Sequence, residues 1–440
     1  MLTYYLKLAL RSFRRNTILT ALMVLSIGAG IGATMTTLTV LRLLSGDPLP
    51  GRSQHIFYPQ VDAFLDGEPH RNPYDKLDYR STVDLWQARR ADRQAPIVDS
   101  GIKVLAPSAG TPALMTTMLA TSADFFPMFD VLFTYGSGWS DQDDARRARL
   151  AVISADLNQK LFGGENSVGR RIRLRNSELR IVGVLAPWRP SPQFYTLAGG
   201  SFAQGDTANF YAKPEDVMVP FFTGLEINDG NFLPWTCWSD PPQAGHLQTM
   251  PCVGLQLWVQ LDSPAKQADY RRFLADYTAQ QKALGRIADP HNTRLPSLMD
   301  WMAHNRVVPG DVRLQSWLAV AFLVICLFNT VGLLLAKFLR RGGEIGVRRA
   351  LGASRRAIFV QYLIEAGLVG LAGGVLGGLL TQIGLWTVRQ QPVEYADLAY
   401  LDLPMFVLTF VLALLVSVAA GLFPASRASH VPPALQLKNV

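Results

Sequence analysis

Four stretches of the chain are apolar almost without interruption, and the remainder alternates between apolar and polar positions. Residues 16–41, 316–336 and 403–425 contain no charged side chain, and 357–386 contain one, Glu365. A helix needs about 20 apolar residues to cross the hydrocarbon core of a bilayer, so each run is long enough to span it. One such run is compatible with a buried core helix; four predict a membrane bundle. The first run is longer than the apolar region of a secretory leader. The following Ser45-Gly46-Asp47-Pro48 offers no clean small-residue cleavage site, so an uncleaved helix is expected.

Between the first and second runs the period changes. Strand-like segments occur at 150–154, 179–185, 216–220 and 253–261, and helical periods at 73–91, 155–162 and 265–284. This predicts a folded mixed α/β domain over 46–312. Residues 187–251 are rich in Gly, Pro, Trp and Phe with few clear periods, and read as an inserted, loop-rich subdomain dividing two α/β pieces. Its aromatics, Trp188, Phe194, Tyr195, Phe202, Phe210, Trp235 and Trp238, suit either an exposed apolar surface or a local core. The predicted architecture is therefore an α-helical membrane protein with four transmembrane helices and a large α/β domain between helices 1 and 2. Its expected segments are a cytoplasmic amphipathic helix over 1–15, spans at 16–45, 313–337, 357–387 and 403–425, a connecting segment 338–356, an outer loop 388–402 and a tail 426–440.

The formal charge of +8 would suit a nucleic-acid binder if it were spread over one face. It is not. Four bases and no acid precede residue 16, seven bases and one acid lie in 337–356, and two bases follow 425. Those stretches carry +12 and the rest of the chain −4. Basic residues flanking apolar runs mark cytoplasmic loops, so nucleic acid is set aside and both termini are predicted inside, with 46–312 outside. The basic flank includes Arg11, Arg14, Arg15, Arg355 and Arg356. Anionic lipid is one expected partner of these bases.

Candidate chemistry is sparse. The six histidines, at 55, 70, 246, 291, 304 and 430, stand singly, without metal-ligand spacing. Gly164-Glu-Asn-Ser-Val-Gly169-Arg170-Arg171 resembles half a phosphate loop but lacks its Lys and hydroxyl residue, and reads as a turn between helix and strand. Cys237 and Cys252 lie 15 apart in the outer domain and suit either a disulfide or two free thiols; Cys326 reads as a packing residue. Within the spans, Gly28 and Gly32, and Gly370, Gly374 and Gly378 together with Gly373 and Gly377, fall at the four-residue spacing that lets helix backbones approach closely. Glu365 suits a snorkelling acid or the partner of a neighbouring base. In 344–353, Ile345, Val347, Ala350 and Leu351 interleave with arginines, which predicts a short amphipathic helix ended near Gly352 and Ala353.

That segment, Glu344-Ile-Gly-Val-Arg-Arg-Ala-Leu-Gly-Ala-Ser-Arg-Arg356, followed by Gln361-Tyr-Leu-Ile-Glu365 and a glycine-rich helix, resembles the MacB/FtsX-type permease family of ABC transporters. Leu6-Lys-Leu-Ala-Leu-Arg-Ser-Phe-Arg-Arg15, Thr121-Ser-Ala-Asp-Phe-Phe-Pro-Met-Phe129, Ile181-Val-Gly-Val-Leu185 and Pro424-Ala-Ser-Arg-Ala428 are similar to other family segments. The resemblance implies a two-subdomain, MacB-like periplasmic domain and a bacterial inner-membrane location. It implies a cytoplasmic ATPase as a separate subunit that binds ATP and Mg, no cofactor and no catalytic centre in this chain, and a second permease in a homo- or heterodimer. Glu344, Ile345, Val347, Arg348, Arg349, Leu351, Gly352 and Ala353 would form the ATPase-docking segment. The implied function is mechanical transmission from ATP to the periplasmic domain, exporting an amphipathic compound, peptide or antibiotic, with a periplasmic adaptor and outer-membrane channel as optional partners. Lipoprotein extraction, mechanical regulation of a cell-wall hydrolase or sensor, and an ATPase-free membrane anchor are the alternatives.

Overall fold

The computed structural model describes residues 13, 16–68, 70–105, 113–196, 210–232, 236–243, 245–308, 310–393 and 395–430. Arg11, Arg14, Arg15 and the helix expected over 1–15 (Phe13 excepted), Phe202, Trp235 and the end of the tail lie outside them. The chain separates into two units, Gly46–Val307 and the spans on either side of it.

Four helices are long and apolar enough to cross a membrane: Thr17–Ser45, Gly310–Leu339, Arg355–Arg389 and Leu403–Ser429. The shortest has 27 residues, about 40 Å at 1.5 Å per residue, more than the roughly 30 Å hydrocarbon thickness. Ser354 and Asp402 cap the third and fourth spans by accepting from the backbone N–H of Ala357 and Met405. The third span is clasped between the first and fourth. Gly373 and Gly377 face the first span, where an added Cβ would lie 2.6 Å from Ile27 Cγ2 and 2.8 Å from Ile31 Cγ2 respectively. Gly370 and Gly374 face the fourth: a Cβ at Gly370 would overlap the Ser417 hydroxyl, and one at Gly374 would sit 2.8 Å from Ala413 Cβ. Gly28 and Gly32 receive Leu376 and Leu380. Gly378 is different: a Cβ there meets nothing within 4 Å, so it does not belong to the packing set within this chain. Hydroxyls add interhelical bonds; Thr34 Oγ1 donates to the Ala319 carbonyl at 3.0 Å.

In the unit Gly46–Val307 the described strands are β1 (Ile56–Phe57), β2 (Gln60–Val61), β3 (Leu77–Asp78), β4 (Arg93–Leu105), β5 (Leu114–Thr121), β6 (Phe133–Gly136), β7 (Leu150–Ile153), β8 (Arg171–Leu174), β9 (Ser177–Leu185), β10 (Val217–Pro220), β11 (Thr236–Cys237), β12 (Cys252–Gln260) and β13 (Thr293–Arg294). The order along the main sheet is β1-β12-β4-β5-β10-β7-β9-β6, with β3 and β11 on β12. β8 hairpins onto β9 and also pairs with the end of β4, Val104 opposite Leu174, so β4, β5, β10, β7, β9 and β8 close on themselves. Val98, Ile102, Met118, Ile153, Ile181 and Val219 belong to the buried core of this unit. The 13-residue β4 belongs to both parts of the domain: its first half pairs with β12 and its second half enters the closed ladder.

This topology corrects the expectation that 187–251 is an inserted subdomain. β10, inside that segment, lies between β5 (parallel) and β7 (antiparallel), and all four of its residues are buried. The helical period over 73–91 shortens to helix Tyr79–Gln87, with β3 before it. Of the described aromatics in 187–251, Phe194, Tyr195 and Phe210 are buried core residues, while Trp188 and Trp238 are half-buried. Phe194 meets Phe129 and Tyr195 meets Phe125 edge-on, Trp188 stacks on Tyr195, and Phe194 meets Trp258. Tyr195 donates to Glu215 Oε2 at 2.8 Å and Gln193 to Glu215 Oε1 at 3.0 Å. Burial pushes the Glu215 carboxyl up to about 7, with the Asp99 carboxylate adding to it. Cys237 and Cys252 are disulfide-bonded across the β11–β12 ladder. The Gly164–Gly169 segment is the expected turn: Gly163, at φ +69°, ends helix Ala155–Phe162, and β8 follows.

Candidate functional site

A helix of nine residues, Gly342–Ala350, joins the second and third spans. Arg348 is fixed twice, to Glu344 Oε1 one turn back at 2.7 Å and to Gln361 Oε1 of the third span at 3.0 Å. Arg349 donates to the Ser429 carbonyl at the end of the fourth span at 3.0 Å. That bond also satisfies one of the carbonyls a helix end leaves open. Ile345 is buried with Gly342 and Gly346. Gly352, at φ +98°, turns the chain out of the helix; a residue with a Cβ would be strained there.

The eight residues expected to dock a partner therefore divide. Ile345, Arg348 and Arg349 hold the short helix to the bundle. Val347 and Leu351, four apart and so on one face, are 49% and 83% exposed. Glu344 and Gly352 are also exposed, and Ala353 is half-buried. Arg355 and Arg356 are exposed at the start of the third span.

Beneath this helix lies a buried ion pair. Glu365 and Lys337 are each 1% exposed, with Lys337 Nζ 2.8 Å from Glu365 Oε1 and Arg341 Nη1 3.6 Å from Oε2. Lys337 Nζ also reaches Thr20 Oγ1 of the first span at 3.3 Å and lies over the Phe13 ring at 5.3 Å. The Phe338 and Tyr362 rings of the second and third spans pack together with centroids 4.2 Å apart. Side chains of three spans thus meet at one ion pair. An unpaired ion in such a place is costly, so the pair fixes the relative height of the helices it joins.

Glu365 stands out in the sequence as the lone acid of its span, whereas Lys337 reads there as one of the cytoplasmic bases. Lys337 lies two residues from the end of its helix and Glu365 ten residues from the start of its own, about 15 Å along the axis. They meet because the first turns of the third span extend past the end of the second. Gln361, Ser429 and Thr20 had no sequence signal as anchors. The i, i+4 spacing of Lys337 and Arg341, aimed at one acid, was the available clue.

The arrangement is a short helix hydrogen-bonded to the third and fourth spans, with the apolar Val347 and Leu351 left outward.

Known protein families match both halves of the chain. Residues 20–275 match the MacB-like periplasmic core domain, and 316–433 match the FtsX-like permease C-terminal domain. The "Macrolide export ATP-binding/permease protein MacB" of Wolinella succinogenes is 22% identical over 99% of this chain and 60% of its own length. The "Probable syringafactin export ATP-binding/permease protein SyfD" of Pseudomonas syringae is 25% identical over 83% of this chain and 48% of its own. The chain thus spans about half to three-fifths of these relatives. The crystal structure of the periplasmic region of MacB from Actinobacillus actinomycetemcomitans aligns with 58% of this chain and 94% of its own, at 10% identity and a TM-score of 0.36.

Proposed function

This chain belongs to the MacB/FtsX-type permease family of ABC transporters, multi-pass proteins of the inner membrane, and from that premise we propose that it transmits ATP-driven motion to its α/β domain. In this reading an ATPase outside these 440 residues docks on Val347 and Leu351 from the cytoplasm. The force enters the spans through Arg348–Gln361, Arg349–Ser429 and the Lys337–Glu365 pair. Both termini face the cytoplasm, and a second permease completes the working dimer. The observation that carries the reading is the short helix itself, tied to the bundle on one side and apolar on the other.

Export is favoured over non-transport regulation because two relatives are named for export, of macrolides and of syringafactin. An adaptor and an outer-membrane channel enter through the same analogy. In the spans, the buried charged residues described are the paired Lys337 and Glu365, which supports movement of the outer domain over passage of cargo between the helices.

The test is the double variant Val347→Glu, Leu351→Glu in the full chain, co-expressed with an ABC ATPase that co-purifies with the wild-type chain. Losing two apolar contacts at an interface centre should weaken ATPase binding by at least about tenfold. Thermal unfolding of the permease should stay unchanged, since neither side chain is buried. Undiminished co-purification and stimulated hydrolysis would overturn the docking assignment.

A further inference from the structure

Histidines looked isolated in the sequence, but one is engaged on both ring nitrogens. His70 Nδ1 lies 3.0 Å from Asp62 Oδ1, and its Nε2 lies 3.1 Å from Asp66 Oδ2. An ionised carboxylate only accepts hydrogen bonds, and a neutral imidazole donates from one nitrogen alone. Both contacts are hydrogen bonds only when His70 is the imidazolium.

The two carboxylates are unequal. The Asp62 side chain is 1% exposed and also accepts from Asn292 Nδ2 at 2.8 Å, so the fold holds it in place. Asp66 is 30% exposed and belongs to the loop. The loop carries more than this pair. Phe64 stacks on Tyr74 with centroids 4.1 Å apart and meets Trp238, next to the disulfide, edge-on at 5.6 Å. Ala63 and Leu65 wall a cavity of about 280 Å³ whose other walls include Trp238, Met250, Arg80 and Arg286.

We infer that His70 is a proton-operated latch on the 62–75 loop, closed when the imidazolium bridges Asp62 and Asp66 and released on the Asp66 side when the proton leaves. Release frees the segment that carries Phe64 and Leu65 and so reshapes the cavity wall. On the outward placement proposed above, the latch would read the pH outside the cell.

Of the surrounding charges, one further histidine–carboxylate pair reaches the loop, and His70→Gln isolates the latch from it. Within the loop, Glu68 and Arg71 are exposed and Asp75 lies 3.8 Å from His304 of helix Leu298–His304. Strand β13 contributes Arg294, bonded to Asn72, and the turn before it contributes Asp289, which accepts from the His291 N–H. The β11 side contributes the uncharged Trp238. Burial disfavours the imidazolium, but the bonds and charges of Asp66 and Asp62 outweigh it and raise the His70 pKa. The sign follows: the latch contributes fully below the ordinary histidine value of about 6.5 and is lost as pH rises through the higher folded value.

Hydrogen–deuterium exchange of the full chain in nanodiscs, corrected for intrinsic rate, tests this at pH 5.5 and 8.5. Protection of 61–76 should fall about fivefold at the higher pH, the loss expected for one partly exposed charge-assisted bond, while 177–185 stays constant. His70→Gln should abolish the pH difference and Asp66→Asn should shrink it. Equal protection of the wild type at both pH values, or an undiminished difference in His70→Gln, would overturn the latch. Should His70→Gln fail to fold, an undiminished difference in Asp66→Asn overturns it equally, because Asp66 is exposed enough to replace without loss of the core.

Discussion

Removing the charge of Glu365 probes the joint beneath the short helix. Glu365→Gln keeps the side chain's size and an acceptor but leaves Lys337 charged, 1% exposed and without its carboxylate 2.8 Å away. Truncating one partner of a buried pair costs about 3–5 kcal/mol, mostly the desolvation of the ion left behind. Thr20 Oγ1 and the Phe13 ring, the remaining contacts of Lys337 Nζ given above, offset a small part of it. The membrane unit has 178 residues, Met1–Ser45 with Val308–Val440, so this loss should lower its apparent Tm by on the order of 10 °C. The double variant Glu365→Met, Lys337→Met replaces the pair by apolar groups of similar length. It should recover most of that loss, because Arg341, 13% exposed in its side chain, reaches the interface. Thermal unfolding in nanodiscs, as a double-mutant cycle, measures the coupling. Unfolding of Glu365→Gln within about 2 °C of wild type, well below the expected shift, or a double variant less stable than the single one, would refute the pair's role as a joint.

Gly373→Val should lower the unfolding temperature of the bundle markedly, since its Cβ would sit 2.6 Å from Ile27 Cγ2, whereas Gly378→Ala should be neutral, with nothing within 4 Å; the same thermal assay compares them. In the α/β domain, Glu215 has its folded pKa raised from 4.5 to about 7, so the folded state binds the extra proton and its contribution is lost as pH rises through that interval. At 1.36 kcal/mol per pH unit this reaches roughly 3 kcal/mol, and Glu215→Gln should therefore stabilise the domain at pH 8 while leaving pH 4.5 little changed, as read from unfolding midpoints at the two pH values.

Much of the membrane unit was legible because its constraints are local. An uncharged run longer than a bilayer is thick has one stable placement wherever the rest of the chain goes, and glycines four apart permit a close helix approach, as Gly370 and Gly374 show and Gly378 does not. The amphipathic period over 344–353 and the family segments were readable for the same reason. The outer domain was legible in its regular strands, such as β7 and β12. It was not legible in β4 and β5, whose alternation is broken where β4 passes from one part of the domain to the other.

What the tertiary structure decided was partnership. It turned Ile345 and Arg349 inward and left Val347 and Leu351 outward, sent Gly373 and Gly370 to different neighbours, and set β10 between β5 and β7. It also brought Lys337 level with Glu365 and Asp62 onto His70. Each depends on how far one element is displaced along another, a quantity set by packing between residues far apart in the chain. Hydrophobic period and residue type act along the chain and could determine the elements; the offset between elements is a property of the assembled fold alone.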